Sequence, residues 1–503
     1  MKEDELAKLM NILKGKKSFK KSSKRKGDPN KPDVNWDIPK PGKVKVKLKM
    51  DLYPYQVEGV GMIKAFGGRC LLGDEMGLGK TAQAIAFCKM NKAERIVVVC
   101  PATLKENWKR EFAKWVGWKK SVYIAEGFPN VDKSMRRRFY AYLRRFRVVI
   151  VNYDILPERG DLPGWNVMLR NFQHDHLIID ECHYMMNRKA SRSKAVREIA
   201  RQVPNIIAIS GTPILNKPLE LPNVMNLLKP GLIRAQEYKQ RYCDPTRTNF
   251  GMDYNGASNL DELHKMLTAN FMVRRKKMDV LKELPPKTRT VVPLAITNRS
   301  EYTRASTDFK KWLLKTEGKK LRHGEGLVKI EKLKQLATKG KIAACVQWIK
   351  DFLDTGEKLV VFTTHTLTLE IVQKAFKDKC VVLNGSTSQK ARQKAVDSFQ
   401  EDDSVRLFVG NLKAAGVGIT LTAASNTCHL ELGWVPGEHD QAEDRVHRIG
   451  QASSVMGWYL IARDTVEEPI AQLLDDKRKV VQKVLDGEEV ADFSLLTRLL
   501  DQL

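Results

Sequence analysis

The sequence lacks the features that would tie it to a membrane, a metal or an oxidising compartment. No apolar run in its 503 residues approaches the ~20 that a spanning helix needs. The opening residues MKEDELAKLM are charged from the second position, which does not read as a secretory leader. Eight cysteines are scattered from Cys70 to Cys428 with no C-x-x-C pair, so reduced thiols in an intracellular protein are expected. Nine histidines are equally dispersed, and no ligand cluster for a structural zinc is visible. No internal repeat stands out. Acid is short as well: 59 Asp+Glu face 88 Lys+Arg, a formal charge of +29. That excess says nothing about fold, but it predicts attraction to polyanions, meaning nucleic acid or an anionic membrane surface.

What is present is enough apolar residue, 42%, for several packed cores. Residues 1–50 stand apart. KGKKSFKKSSKRK (14–26) holds eight basic residues and no acidic one, and a stretch rich in proline and glycine follows. It reads as a disordered basic tail and linker, either a solvating tail or else a phosphate-binding arm or localisation signal. From about Leu52 short β-branched runs alternate with helix-length segments. RIVVVC, RVVIV, HLIID and IIAIS form one series, and KLVVFTT, CVVLNG, RLFVGN, TCHLEL and WYLIA a second. Two α/β lobes with buried parallel strands are expected, over residues 51–230 and 346–485. Residues 231–345 carry few strand signals and read as helical insertions and a connector; 486–503 is a tail.

GDEMGLGKT (73–81) is a strand-to-helix turn with three glycines. Gly77 and Gly79 let successive N–H groups point inward, and with the helix N-terminus they form an anion nest. Lys80 would reach the β- and γ-phosphates, and Thr81 would place its hydroxyl on Mg²⁺. The generic pattern G-x-x-x-x-G-K-[ST] wants glycine where this chain has Asp74. HLIIDECH ends an apolar strand on Asp180 and Glu181, 100 positions on from Lys80 (180 − 80). Asp180 there suits the Mg²⁺ shell and Glu181 the attacking water; the plain alternative is a surface acidic pair capping the next helix. In QAEDRVHRIGQ (441–451), Arg445 and Arg448 are three apart, on one side of a helical turn. They suit an arginine-finger role, with a solvated helix face as the alternative.

These motifs, in order over residues 50–485, resemble the Swi/Snf-type DNA translocases among the helicase-like superfamily 2 ATPases. LYPYQVEGV looks like the adenine-sensing segment, with Gln56 in position, and GDEMGLGKT has the Asp-Glu-Met that this family carries where others have glycine. VVVCPATLKENWKREF, containing Thr103, is similar to the motif on the nucleic-acid face. DECH differs by one letter from Asp-Glu-Ala-His, SGTPILN looks like the coupling segment, and GNLKAAGVGITLTAAS and DRVHRIGQ match the two motifs of the second lobe. FMVRRKKMDVLKELPPKTR (271–289) looks most like the compact HARP-type annealing and fork-remodelling branch.

The resemblance implies two RecA-like lobes, ATP with Mg²⁺ as cofactors, and DNA, duplex or branched, as the track. It implies a catalytic set of Lys80, Asp180, Glu181, Gln441, Arg445 and Arg448. Gln56, Asp74, Gly77, Gly79, Lys80 and Thr81 would hold nucleotide, Thr81 and Asp180 the metal. Thr103, Ser210, Thr212, Gly416, Gly418 and Thr420 would contact DNA or couple it to ATP. A strand-separating helicase and an ATP-gated DNA-binding scaffold are the other readings. A monomer is expected, with single-strand-binding or recombination proteins as possible partners, in a bacterial or virus-infected cytoplasm or a nucleus. MRRRFYAYLRRFR (135–147) interleaves six arginines with four rings, a pattern that suits phosphate neutralisation beside packed or stacked rings, or plainly a helix with its rings toward the core and its arginines toward water. VRRKK (273–277) and DDKRKVVQK (475–483) read as solvated basic faces.

Overall fold

The computed structural model describes residues 34–487, apart from 130, 132–133, 249–250, 317–324 and 417. The lysine-rich stretch 14–26 and almost all of 486–503 lie outside the described residues. The described chain falls into two units, one of residues 34–282 with 480–487, the other of residues 283–479. Each carries a parallel sheet flanked by helices, the architecture of a RecA-like lobe. No described helix is long and apolar enough to cross a membrane.

The first unit is built on β1 (Arg69–Leu72), β2 (Ile96–Cys100), β3 (Val122–Ile124), β4 (Val148–Asn152), β5 (His176–Asp180), β6 (Asn205–Ile209), a hairpin of β7 (Thr246–Thr248) and β8 (Gly251–Asp253), and β9 (Met272–Val273). The main sheet runs β3-β4-β2-β5-β6-β1-β9. β2, β4 and β5 are buried at every residue, as continuous apolar runs between two helical layers must be. Register fixes what leaves the sheet. Leu72 pairs with Ile209, Ile209 with Asp180, and Leu72 with Val273. Val99 of β2 pairs with Ile179, so Cys100 ends level with Asp180. Four chain segments therefore emerge side by side at the carboxyl edge, beginning Gly73, Ser210, Glu181 and Arg274.

Two expectations are corrected in this unit. Residues 34–50 form no regular element, yet they are not a free linker. The Asn270 side-chain amide donates to the Asn35 carbonyl at 2.8 Å, the Gly42 N–H to Gly61 at 2.9 Å and the Lys49 N–H to Trp115 at 2.9 Å. Trp36 packs on the main core. Residues 231–345 are largely helical, as expected, but they are more than helical insertions and a connector. They divide between the units after Lys282 and supply a strand to each main sheet, because Met272–Val273 and the half-buried run KTRTVVPL each find an edge strand to pair with.

The second unit holds β10 (Lys287–Leu294), β11 (Leu359–Thr363), β12 (Cys380–Leu383), β13 (Leu407–Asn411), β14 (Asn426–His429) and β15 (Val455–Ala462), all parallel in the order β10-β15-β14-β11-β13-β12. At the carboxyl edge Glu431 follows β14, and His365 follows β11, one strand over. Glu431 accepts from the backbone N–H groups of Thr364 (2.6 Å) and His365 (2.9 Å). The His365 ring bridges Glu331 at 2.8 Å and Glu431 at 2.7 Å. Hydrogen bonds to Glu331 and then Glu431 push the His365 pKa from 6.5 up to about 9. Burial alone would raise Glu431, but the His365 contacts and the two N–H groups bring it down to about 2. The His365 contribution to stability is therefore full below pH 6.5 and is lost as pH rises through about 9. His365→Gln is expected to flatten stability across that window, as read by urea unfolding at several pH values. An unchanged slope would show that the imidazole is not charged between its two carboxylates.

Candidate nucleotide site

The segments leaving β1, β5, β6 and β9 build one cluster in the first unit. Gly77 and Gly79 have φ of +85° and +72°, left-handed values that favour glycine. A β-carbon on Gly79 would stand 2.2 Å from Gln56 Nε2. Gln56 is buried at the start of helix Pro54–Ala65. Its Oε1 accepts from the Tyr53 N–H at 3.0 Å and its Nε2 donates to the Leu78 carbonyl at 3.2 Å, tying that helix to the glycine loop. Lys80 opens helix Lys80–Met90 and donates to the carbonyls of Asp74 (2.7 Å) and Glu75 (3.0 Å). Burial lowers its pKa from 10.5 to about 8, against the pull of Asp74 and Glu181. Thr81 follows, partly exposed.

Asp74 resolves the departure from the generic loop. Its carboxylate is fully buried and accepts from Arg275 Nε at 2.9 Å and Nη2 at 2.5 Å, and from Gln83 at 3.0 Å. Arg275 also bonds the Tyr55 carbonyl and Gln83. Its neighbour Arg274 donates to the carbonyls of Gly73 (2.8 Å) and Gly211 (3.1 Å), with Asp486 at 2.7 Å behind it. The Lys277 N–H donates to Glu75 Oε2 at 2.6 Å. So the stretch read as a solvated basic face is the scaffold of the glycine loop. The signal was there in part: the arginines directly follow an apolar FMV run. DDKRKVVQK is corrected likewise, since Arg478 is buried against Asp440 and Asp475.

Asp180 and Glu181 are each 8% exposed, which removes the surface-pair alternative. Both Asp180 oxygens have donors: Trp108 Nε1 on Oδ2 at 2.8 Å and the Glu181 N–H on Oδ1 at 3.0 Å. Tyr153 donates to the Asp180 carbonyl at 2.7 Å. Burial first and the Glu181 charge second raise the Asp180 pKa to about 7. Glu181 has φ +51°, a left-handed value rare outside glycine. Its Oε2 meets Ser210 Oγ at 3.3 Å and His183 Nδ1 at 3.3 Å. Ser210 Oγ accepts from the Thr212 N–H at 3.2 Å, and Thr212 Oγ1 is buried without a partner. Thr103 stands exposed in the turn Ala102–Leu104 after β2.

The residues present fit ATP and Mg²⁺. A left-handed glycine loop precedes a helix, the unpartnered Thr212 hydroxyl lies next to Gly211, and Thr81, Asp180 and Glu181 offer hard oxygens, the donor set for a magnesium ion that keeps water and phosphate ligands. Each Asp180 oxygen carries one protein donor and keeps a lone pair for such a water.

In the second unit Arg445 and Arg448 converge as well, though not from a helix. Helix Pro436–Glu443, which holds the buried Gln441, ends before them. They lie in the tight turns that follow, where Arg445 Nε donates to the Gln441 carbonyl at 3.1 Å and Arg448 Nη1 to Ile419 (3.3 Å) and to Thr420 Oγ1 (2.9 Å). Arg445 Nη1 also points to the Ile419 carbonyl, at 3.5 Å. A solvated face is excluded, since Glu443 is fully buried against Arg289 and Lys287. Gly416 is buried and Gly418 exposed, with φ +78° at the latter. Of the ring-and-arginine stretch, Leu143 is buried, Phe139 and Tyr140 pack on the core, and Tyr142 remains 43% exposed.

Comparison with known proteins adds two matches in tandem: the SNF2-related domain over residues 55–342 and the helicase conserved C-terminal domain over 340–450. The human DNA annealing helicase and endonuclease ZRANB3 is 34% identical over 457 residues, 88% of this chain and 41% of that protein. The Xenopus tropicalis SWI/SNF-related matrix-associated actin-dependent regulator of chromatin subfamily A-like protein 1 is 33% identical over 462 residues, 90% and 47%. The chain thus spans less than half the length of these relatives. Both are animal proteins, which gives no support to a bacterial or viral source. The SWI2/SNF2 ATPase core of Sulfolobus solfataricus in complex with dsDNA is 27% identical, covering 90% of this chain and 96% of that one, with a TM-score of 0.40.

Arg275→Ala is expected to strand the Asp74 carboxylate in the core and to cost about 3–5 kcal/mol in denaturant unfolding. Asp74→Gly added to Arg275→Ala should recover part of that loss. A single variant within about 0.5 kcal/mol of the parent would mean that the pair is not formed in solution.

Proposed function

The chain belongs to the SNF2-related family, and from that premise we propose that it is an ATP-dependent DNA translocase that remodels DNA structures or protein–DNA complexes. The observation that carries the proposal is the contact of Glu181 with Ser210. The residue proposed to orient the attacking water is bonded to the first residue of the SGTP segment, which in turn holds the Thr212 N–H. A change at the γ-phosphate is then felt at once by a second chain segment. In this reading ATP supplies the free energy and Mg²⁺ the charge that stabilises the transferring phosphoryl group. Lys80 holds the β- and γ-phosphates, Thr81 and Asp180 hold the metal, and Glu181 orients water. Gln56, Asp74, Gly77 and Gly79 shape the loop around the nucleotide. Arg445, held by the Gln441 carbonyl, and Arg448 supply positive charge from the second unit, which makes turnover depend on both units.

DNA enters as the track because the chain is strongly basic and because relatives named for DNA annealing match it over most of its length. Thr103, Ser210 and Thr212 in the first unit, and Gly416, Gly418 and Thr420 in the second, are proposed to contact DNA or relay its binding. Contacts to backbone rather than base edges would make affinity salt-sensitive and sequence-tolerant.

The test compares ATP turnover with duplex DNA, single-stranded DNA and RNA, and triplex displacement with unwinding of a forked duplex. Stimulation by duplex with triplex displacement supports the proposal; efficient unwinding of plain duplex would replace it with a strand-separating helicase. Lys80→Ala is expected to lower turnover about 10²–10³-fold or more while DNA binding persists. Normal hydrolysis by Lys80→Ala would show the nucleotide site to be misassigned. Arg448→Ala should reduce turnover more than nucleotide affinity.

A further inference from the structure

Trp108 is 1% exposed, in the first turn of helix Lys105–Val116, and its ring packs on Phe112. Apolar packing accounts for the ring but not for the N–H, because phenylalanine would fill much of the same core. The N–H goes to Asp180 Oδ2, at 2.8 Å, and to no backbone carbonyl. A neutral donor on a buried carboxylate makes a charge-assisted hydrogen bond, shorter and stronger than a neutral one. With the Glu181 N–H on Oδ1, it fixes the rotation of the carboxylate about its last torsion. The register explains how the partner reaches it: Trp108 belongs to the segment that leaves β2, the strand adjacent to β5.

The same helix also has an outer face. Asn107 is exposed in its first turn and Thr103 in the turn just before it, while Lys105 is anchored to the Ala125 carbonyl at 2.8 Å. One short turn-and-helix segment, residues 102–116, therefore joins a surface at Thr103 to the carboxylate at Asp180. We propose that Trp108 is a positioning residue for ATP hydrolysis: its indole N–H holds Asp180 in the orientation that receives the Mg²⁺–nucleotide, and it passes DNA contact at the turn before its helix to that carboxylate. The inference rests on the nucleotide-site reading above and adds a residue and a route to it.

The balance of effects follows from the geometry. Groups that orient a metal's ligands typically matter by about 10–100-fold in metal affinity when removed. Trp108→Phe in the full chain is therefore expected to weaken Mg²⁺-dependent binding of a fluorescent ADP about 10–100-fold, with binding in EDTA unchanged. Stimulation of turnover by duplex DNA should fall with it. Asp180→Asn should abolish the Mg²⁺ enhancement, and adding Trp108→Phe to Asp180→Asn should change nothing further, since the tryptophan acts through that carboxylate. Benzothienylalanine at position 108 keeps the shape and lacks the N–H; it should behave as Trp108→Phe and serves where phenylalanine disturbs folding.

Variants with wild-type Mg²⁺ enhancement and wild-type DNA stimulation would overturn the assignment and leave Trp108 a core residue. So would an equal loss of binding with and without Mg²⁺. If instead the parent protein shows no Mg²⁺-dependent nucleotide binding, the nucleotide-site reading itself falls.

Discussion

The structure of the candidate site depends on one constraint, the common level at which β9, β1, β6 and β5 end. Parallel strands about 4.8 Å apart deliver their following residues as neighbours only if the register is shared. Leu72, Ile209, Asp180 and Val273 satisfy this in one row. A slip of one residue in β5 would turn Asp180 to the other face of the sheet and take the Trp108 and Ser210 contacts with it. The apolar strands thus do more than bury surface: their register sets the positions of the polar groups beyond them.

That arrangement concentrates charge where water is scarce, and such charge is stable only when paired. Asp74 is the clearest case. Taking a carboxylate to full burial costs several kcal/mol even after relaxation, and Arg275 with Gln83 offsets it by bringing a guanidinium charge and three donors to the two oxygens. What is gained is rigidity of the loop base, because Arg275 also grips the Tyr55 carbonyl and Arg274 the Gly73 and Gly211 carbonyls. Asp180 is less completely compensated, and its pKa of about 7 records that deficit. The scaffolding carboxylate is satisfied by protein, whereas the one proposed to meet a cation is left short of positive charge.

The strands and the loop were legible because their signals are local. β-branched runs such as IVVVC and HLIID identify themselves, and a glycine turn before a helix needs no distant partner. Basic stretches were not legible, because sign and density of charge do not say whether a partner is near. Arg275 lies 201 positions from Asp74, and Arg289 lies 154 from Glu443. Beyond the apolar FMV run that precedes Arg274, nothing within either window separates such residues from lysines on a wet helix. β10 was missed for a related reason: KTRTVVPL alternates charge with Thr and Val, and its one wholly buried residue, Val291, becomes evident only with β15 beside it. The helical reading of Arg445 and Arg448 correctly put them together and failed on how, since tight turns produced the same convergence on Ile419 and Thr420.

Glu181 shows where stability was not the controlling demand. A non-glycine residue in the left-handed region carries strain, of order 1 kcal/mol, that glycine or asparagine would relieve. Glutamate nevertheless occupies it, and the backbone reversal is what turns its side chain to Ser210 and His183 while its N–H stays on Asp180. A residue in ordinary β geometry would continue the line of the strand and lose one of those two relations. The neighbouring Thr212 hydroxyl, buried and unpartnered, is a second departure from what packing alone favours. Strain at Glu181 and an unmet hydroxyl at Thr212 are linked through the Ser210 hydroxyl, so the local costs gather where the acidic motif meets the SGTP motif. That is the distribution expected when an arrangement is kept for the ligand it receives, because a bound phosphate would meet the hydroxyl and use the direction of the carboxylate together.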